Sequence, residues 1–146
     1  MPLSARVLLL VENAPYPFDV RVRREAQALR QAGHQVNVIA PRAPGEPWTE
    51  MIDGVCVFRF PAPIGGNGVV GYATFVMLLL SLWVLWRKGV DVIHAANPPD
   101  TLFVIGAVGK LLGKKFVFDQ HDLSPETYLS RFKQIGRASC RERVCT

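Results

Sequence analysis

Five short apolar segments along the chain predict the strands of a sheet, because each is bounded by proline, glycine or polar residues. The first is a continuous apolar run, which is typical of a central strand covered on both faces. The third alternates large apolar residues with Cys56 and Arg59, which favours a position nearer the edge of the sheet. The segments are 6–12 (RVLLLVE), 34–40 (HQVNVIA), 55–60 (VCVFRF), 91–95 (DVIHA) and 115–119 (KFVFD).

Helical patterns separate these segments. Val22, Ala26 and Leu29 recur at helical spacing between the first two strands, while arginines and glutamines occupy the other faces. Asp19 can cap this helix, and Gly33 stands where a left-handed C-terminal residue belongs. A helix between two such strands implies a right-handed parallel crossover. The whole pattern, with a further apolar stretch before the last strand, predicts an α/β domain with a mostly parallel sheet of about five strands.

The run from Val69 to Trp86 has eighteen residues without a charge, which is long enough for a membrane span. Predicted strands of one sheet lie before and after it, so a span would place the two halves of that sheet on opposite sides of a bilayer. We therefore predict a helix that packs on the sheet. Trp83 and Trp86 with Arg87 and Lys88 form an aromatic and basic end of the kind favoured at lipid headgroups. Peripheral membrane contact through Val69 to Lys88 and simple core packing are the two hypotheses for this helix.

The composition fits one folded domain. The 146 residues suffice for one sizeable core, and 49% hydrophobic with 20% charged residues excludes a disordered chain and a coiled coil. The first apolar run is interrupted by Glu12 and Asn13, so it is not a secretory signal. A net charge of +5 suits anionic partners. The basic residues are not interleaved with aromatic residues on one surface, however, so we predict no nucleic-acid partner.

The end of the chain does not match the rest of the sequence. Residues 135–144 (IGRASCRERV) back-translate to ATC GGA AGA GCG TCG TGT AGG GAA AGA GTG, which resembles a common sequencing adapter. We therefore predict that 134–146 is adapter read-through and that 1–133 is the native part, with a genuine basic tail as the alternative. Without 135–146 the net charge falls to +3 and Cys56 is the one cysteine left. A single cysteine can form neither an internal disulfide nor a metal motif built on cysteine spacing, which favours a reducing, cytoplasmic setting.

Three polar segments follow predicted strands and therefore lie where ligands bind to open parallel sheets. In the first, 13–19, Asp19 either only caps its helix or, with Arg21, helps to bind an anion at the helix start. In the second, 95–100, Asn97 is either a helix cap or a ligand-binding residue. In the third, 120–126, the imidazole of His121 can donate to a sugar hydroxyl or polarise a leaving group, and Asp122 can orient it.

Several familiar sites are missing from the sequence. No G-x-G-x-x-G follows the first strand and no G-x-x-x-x-G-K-[ST] occurs, which disfavours nicotinamide-dependent and ATP-dependent enzymes. No G-x-S-x-G elbow occurs either, so a serine hydrolase of that type is not predicted.

Three separated segments resemble one known family, in the right order. They are VLLLVENAPYPFDVRVRREAQALRQAGHQVNVIAPR, GVDVIHAANPPDTLF and KKFVFDQHDLSPE. Together they resemble the N-terminal domain of family-4 retaining glycosyltransferases of the GT-B fold, over roughly residues 6–131. The resemblance implies a Rossmann-like domain with helices on both faces of the sheet, one half of a GT-B architecture. It also implies catalysis without a bound metal or cofactor, at the inner face of the cell membrane.

In that family the N-terminal domain holds the acceptor, often a lipid-linked glycan, and a second domain binds most of the nucleotide-sugar donor. The resemblance gives His121 the catalytic role of reaching the donor sugar. The residues expected to bind substrate are Asn13, Asp19, Arg21, Asn97, Asp122 and Glu126. The second domain of the family is missing, so we expect a gene fragment that has no turnover alone.

Two other hypotheses stay open on the sequence. One is a non-catalytic binding module that docks on a membrane through its apolar helix and basic residues. The other is a different Rossmann-like enzyme such as an epimerase, against which the missing glycine fingerprint counts. The coding sequence downstream of codon 133 distinguishes the first two, because a second Rossmann-like half would indicate the transferase.

Overall fold

The structure is a computed structural model that describes residues 3–61, 69–96 and 100–119. Its described part has six strands, three α-helices and one short 3-10 turn. The strands are β1 (Arg6–Leu10), β2 (Gln35–Pro41), β3 (Thr49–Ile52), β4 (Val55–Phe60), β5 (Val92–Ala96) and β6 (Lys115–Asp119). The helices are α1 (Val20–Gln31), α2 (Val69–Lys88) and α3 (Phe103–Leu111), and the 3-10 turn η1 is Asp100–Leu102. Along the chain the order is β1-α1-β2-β3-β4-α2-β5-η1-α3-β6.

All six strands form one sheet in the order β3-β4-β2-β1-β5-β6. Every neighbouring pair is parallel except β3 and β4. The chain runs from β1 through α1 to β2 on one side, and from β4 through α2 back to β5 on the other side. The predicted mostly parallel α/β sheet is thus confirmed, and the strand order reverses between β1 and β5.

The prediction of about five strands missed β3. This strand pairs antiparallel with β4 through a turn at Asp53 and Gly54, whose φ angles are 49° and 78°. Asp-Gly between two strands is a strong signal for a tight hairpin turn, because both positions accept positive φ. The Thr49–Ile52 segment is short and half polar, so the turn was its main signal. With β3 outside it, β4 lies one strand in from the edge.

Two apolar cores cover the two faces of the sheet. On one face, Val7 and Leu9 of β1 pack with Val22 and Ala26 of α1 and with the buried ring of Tyr16. On the other face lie buried residues of the strands together with residues of α2, η1 and α3, namely Leu8, Leu10, Ile39, Phe58, Met77, Val84, Ile93, Leu102 and Ile105. Each fully buried aliphatic side chain stabilises the fold by about 1.5 to 3 kcal/mol. Because α1 covers one face of the sheet and α2 and α3 cover the other, the prediction of helices on both faces is confirmed.

Helix α1 begins and ends as its sequence predicts. The Asp19 carboxylate accepts hydrogen bonds from the backbone N–H groups of Arg21 at 3.0 Å and Val22 at 3.4 Å. Gly33 has a φ of 89°, a conformation that side-chain-bearing residues rarely adopt. The cap and the glycine together fix the length of the crossover between β1 and β2.

Helix α2 packs one of its faces on the sheet. Ala73, Met77, Ser81 and Val84 are buried at helical spacing, and the Ser81 hydroxyl donates to the Met77 carbonyl at 2.6 Å. The opposite face exposes Tyr72, Phe75, Leu79, Trp83 and Trp86. Among the described residues, no helix combines the length and the apolar character that a membrane crossing needs. The prediction that this helix lies on the sheet is confirmed.

Candidate functional site

The carboxyl ends of β1, β5 and β6 lie side by side at one edge of the sheet. Leu10 is opposite Ala95, and Ala96 is opposite Asp119, so the three strands end at nearly the same level. We call this edge, with the side chains that contact it, the rim. Ligands of open parallel sheets bind at such an edge where the strand order reverses, which here is between β1 and β5.

The segment after β1 forms one side of the rim. Asn13 and Phe18 are exposed, whereas Tyr16 between them is buried. Asp19 serves as the helix cap, and the Arg21 guanidinium lies 3.6 Å from its carboxylate with nearly half of the arginine side chain exposed. Asp19 thus has the structural role that the sequence offered as one alternative, and Arg21 in the first turn of α1 places an exposed cation beside it.

The other predicted site residues lie beyond the described part of the chain. Asn97, His121, Asp122 and Glu126 are outside the described residues, so their positions stay predictions. Asp119, the last residue of β6, precedes His121 by two positions in the sequence.

A carboxyl group that sequence reasoning missed lies at the reversal of strand order. Glu12 comes directly after the buried Val11 and is itself half-buried. The Thr74 hydroxyl of α2 donates to Glu12 Oε2 at 3.5 Å, and the Thr101 hydroxyl of η1 lies 2.9 Å from that of Thr74. Burial raises the pKa of Glu12 to about 7, against the opposing effect of the Thr74 hydrogen bond. The position of Glu12 directly after a central strand is the sequence signal for this carboxyl group, although the sequence pattern by itself marks only the end of an apolar run.

A second cluster joins α1, β5 and β6 near the rim. The Nδ1 atom of His94 lies 2.7 Å from Glu25 Oε1, and ligand atoms of Glu25, His94 and Asp119 all lie within 4.8 Å of one another. His94 Nε2 is buried and has no hydrogen-bond partner among the described residues. An imidazole and two carboxylates can bind a divalent cation, but they are fewer than the four ligands of a structural zinc site. The 2.7 Å contact is equally that of an imidazole donating to a carboxylate.

A buried arginine orders the loops beside the rim. The Arg59 side chain is only 1% exposed, and its guanidinium pairs with Glu46 at 3.0 Å and Glu50 at 2.9 Å. It also donates to the carbonyl of Pro47 at 3.1 Å and to that of Tyr16 at 3.4 Å. Arg59 thereby connects the segment after β1 with the segment after β2. The local pattern of β4 gave no sign of this, because the partners are distant in sequence.

The sequence model of the glycosyl transferase 4-like domain matches residues 19–146. The chain belongs to this family. The predicted resemblance to the N-terminal part of a GT-B glycosyltransferase is thereby confirmed at the level of family and fold. No curated protein sequence is a significant match to the chain.

Solved structures with the same fold come from proteins of different activity. Sucrose-phosphate synthase from Thermosynechococcus elongatus gives a TM-score of 0.63 at 16% identity, over 86% of this chain and 35% of that one. MurG from Acinetobacter baumannii gives a TM-score of 0.50 at 16% identity, over 78% of this chain and 34% of MurG. The C-terminal domain of a hydrogenase from Pyrococcus furiosus gives a TM-score of 0.59 at 15% identity, over 80% of this chain and 91% of that domain. These identities support the fold alone, and the glycosyl transferase 4-like chain spans about a third of the synthase.

Proposed function

We propose that this glycosyl transferase 4-like domain is the acceptor side of an enzyme that transfers a sugar from a nucleotide-sugar to a cell-envelope or lipid-linked glycan. The observation that carries the proposal is the adjacency of β1, β5 and β6, whose carboxyl ends form one rim. Each of the three polar segments in the family resemblance starts from one of these strands. Family membership supports the same reaction class.

The proposed reaction is substitution at the anomeric carbon with retention. The bond between that carbon and the donor phosphate breaks, and the nucleotide leaves with its phosphates. The acceptor hydroxyl oxygen forms the new glycosidic bond, and its proton passes to the departing phosphate. In this proposal His121 contacts the donor sugar and Asp122 orients the imidazole. Asn13, Asp19, Arg21, Asn97 and Glu126 line the cleft and bind substrate. No metal and no cofactor takes part, and residues 1–133 alone do not turn over because a second domain must hold the donor.

The test uses the product of the full-length gene, including the coding sequence downstream of codon 133. It is assayed with radiolabelled UDP-, GDP-, ADP- and dTDP-sugars on glycans and lipids extracted from the native membrane. We expect transfer from at least one donor, and a loss of about a hundredfold or more in turnover for His121→Ala. Absence of transfer from every donor would contradict the proposal.

His34→Gln is the matched control for this experiment. The Nδ1 atom of His34 accepts a hydrogen bond from the backbone of Ala5 at the amino edge of the sheet, away from the rim. The control is expected to keep the turnover of the parent enzyme. A His121→Ala enzyme within twofold of the parent would remove His121 from the mechanism without affecting the assignment of the reaction.

The outer face of α2 supports peripheral contact with the inner face of the cell membrane as a further part of the proposal. Trp86 is 80% exposed and Phe75 is 58% exposed on this face. The Arg87 guanidinium lies 5.9 Å from the Trp86 ring and 5.7 Å from the Trp83 ring, so cation and aromatic groups share one end of the helix. An apolar groove of about 370 Å³ adjoins this face, lined among others by Trp48, Phe60, Leu79 and Trp83.

Flotation with liposomes tests the membrane contact on the 146-residue chain. At low salt the wild-type chain is expected to float with vesicles that contain anionic lipid. The double variant Trp83→Ala, Trp86→Ala is expected to stay in the soluble fraction. Phe18→Ala, which removes an aromatic residue that is 69% exposed beside α1, is the control and should float. A wild-type chain that stays soluble at low salt would rule out this contact, and with it the non-catalytic membrane module.

A further inference from the structure

Three side chains from three different elements meet where the strand order reverses. Glu12 follows β1, Thr74 lies in the second turn of α2, and Thr101 lies in η1. They form a chain in which the Thr101 and Thr74 hydroxyls are 2.9 Å apart and Thr74 donates to Glu12 Oε2 at 3.5 Å. We infer that Glu12, Thr74 and Thr101 form a subsite that binds a hydroxyl group of the carbohydrate acceptor. This inference rests on the proposed function and names the residues that hold its substrate.

The hydrogen-bond directions leave an acceptor atom for a ligand. When Thr74 donates to Glu12, its oxygen can accept from Thr101, so both protons point along the chain toward the carboxyl group. Glu12 Oε1 has no donor among the described residues. An incoming hydroxyl can therefore donate to Oε1 without displacing a donor of the described residues.

The local charge selects a neutral, hydroxyl-bearing ligand. An ionised Glu12 repels the diphosphate of a nucleotide-sugar, so this part of the rim is unsuited to the donor. A carboxyl group beside two hydroxyl groups instead matches the alternating donors and acceptors of a sugar. The anionic donor and the neutral acceptor are thereby separated along the rim.

The hydrogen bond from Thr74, the one that the described residues donate to the Glu12 side chain, does not fully compensate the burial of its carboxyl group. A distance of 3.5 Å is long for a hydroxyl donating to a carboxylate, where 2.5 to 3.0 Å is usual. Burial accordingly raises the pKa of this carboxyl group to about 7. Strongly perturbed carboxyl groups are typical of functional sites, and a ligand hydroxyl would add a hydrogen bond that stabilises the ionised form.

The first experiment measures sugar binding on the 146-residue chain, independently of transfer. Methyl glycosides of glucose, mannose, galactose and N-acetylglucosamine are titrated while the Glu12 side-chain carbon is followed by NMR. We expect at least one glycoside to shift this signal and to bind about tenfold or more weakly to Thr101→Val. A Glu12 signal that no glycoside moves would overturn the inference.

Variants separate a binding role from a structural role. Glu12→Met keeps the size of the side chain but cannot accept a hydrogen bond, so saturation-transfer NMR should show the glycoside binding lost. Glu12→Gln keeps an acceptor and should retain part of the affinity. Asp53→Asn, at the hairpin on the opposite edge of the sheet, is the matched control and should bind as the wild type. Equal binding to wild type and Glu12→Met would overturn the inference, with circular dichroism showing that both are folded.

The second experiment uses the full-length transferase. Glu12→Met is expected to raise the KM for the acceptor about tenfold or more while leaving the KM for the nucleotide-sugar unchanged. An active transferase whose acceptor KM is insensitive to Glu12→Met would overturn the subsite and leave the proposed function standing. A full-length protein without transfer would contradict the proposed function, and the glycoside titration would still decide the subsite.

Discussion

Two carboxyl groups lie at opposite ends of the neighbouring strands β1 and β5, in contrasting surroundings. Asp91, just before β5, accepts three hydrogen bonds from Arg6, two from the guanidinium at 2.9 and 3.1 Å and one from the backbone at 2.9 Å. These hydrogen bonds lower the pKa of Asp91 to about 2, whereas burial beside Thr74 raises the pKa of Glu12 to about 7. Asp91 at the amino edge is thus paired with a cation, whereas no cation among the described residues pairs with Glu12 at the rim.

The contrast teaches that one sheet can divide its edges between stability and binding. A paired, ionised Asp91 favours the folded state, whereas an ionised Glu12 disfavours it. Burial of an ionised Glu12 lowers the stability of the folded state, and carboxyl groups perturbed in this way are enriched at functional sites. Variants at each edge therefore have opposite expected effects on stability, apart from the buried arginine that orders the loops beside the rim.

The largest expected effect comes from Arg59→Met, which leaves Glu46 and Glu50 without their cation. We expect a loss of about 3 kcal/mol in the free energy of unfolding, since removing one partner of a buried ion pair is strongly destabilising. The exposure of Glu50, 41% of its side chain, keeps the loss at the low end of the usual range. Urea unfolding measures it.

The control for this variant is Arg30→Met. Arg30 is exposed, and its Nη1 donates to the Gly54 carbonyl at 2.6 Å. A much smaller loss is expected, because water can replace an exposed donor. Equal losses for the two arginine variants would contradict the structural role of Arg59.

The second effect is a pH-dependent gain in stability for Glu12→Gln. The pKa of the Glu12 carboxyl group is about 7 in the folded state, whereas its ordinary value is 4.5. Between these pH values the folded state binds more protons than the unfolded state, so the stability of the folded state falls as pH rises. Glutamine does not titrate in this range, so Glu12→Gln removes this pH-dependent loss of stability. We expect the variant to gain on the order of 1 kcal/mol over the wild type at pH 8 but not at pH 4, after reducing the shift for solvent screening of a half-exposed side chain. Thermal unfolding across this range measures it, and a difference that does not change with pH would contradict the prediction.

The smallest effect is a loss of stability in Asp91→Asn. The lowered pKa of Asp91 means that its stabilisation is present above about 3.8 and is lost as pH falls toward 2. At pH 7 we expect the variant to unfold at a lower midpoint temperature than the wild type. At pH 2 we expect the two midpoints to be equal. The shift should be the smallest of the three, because both side chains are partly exposed. A difference that persists at pH 2 would show that the asparagine acts through something other than charge.

The sequence predicted the features that depend on local pattern. The bounds of β4 and β6, the Asp19 cap and the left-handed Gly33 follow from neighbouring residues and were found as predicted. The short strand β3 was missed because it has little apolar pattern of its own and is held by pairing to β4.

The chemistry at the rim was harder to predict, because it depends on contacts between distant residues. Glu12 meets Thr74, 62 positions away, and the Arg59 guanidinium reaches Tyr16, 43 positions away. His94 meets Glu25 only because α1 crosses that part of the sheet. Polar residues in a strand or at its end give no sign of such partners until the topology brings them together.

The most direct test of the rim as a sugar-transfer site is the rate of radiolabelled sugar transfer by the full-length enzyme and two carboxyl variants. Transfer by the wild type, a rate about tenfold or more lower in Glu12→Met at subsaturating acceptor and a wild-type rate in Asp91→Asn would support this function of the rim. Equal rates for the rim variant and the amino-edge variant would contradict the role of Glu12 at the rim, and no transfer by the wild type from any donor would contradict the sugar-transfer function itself.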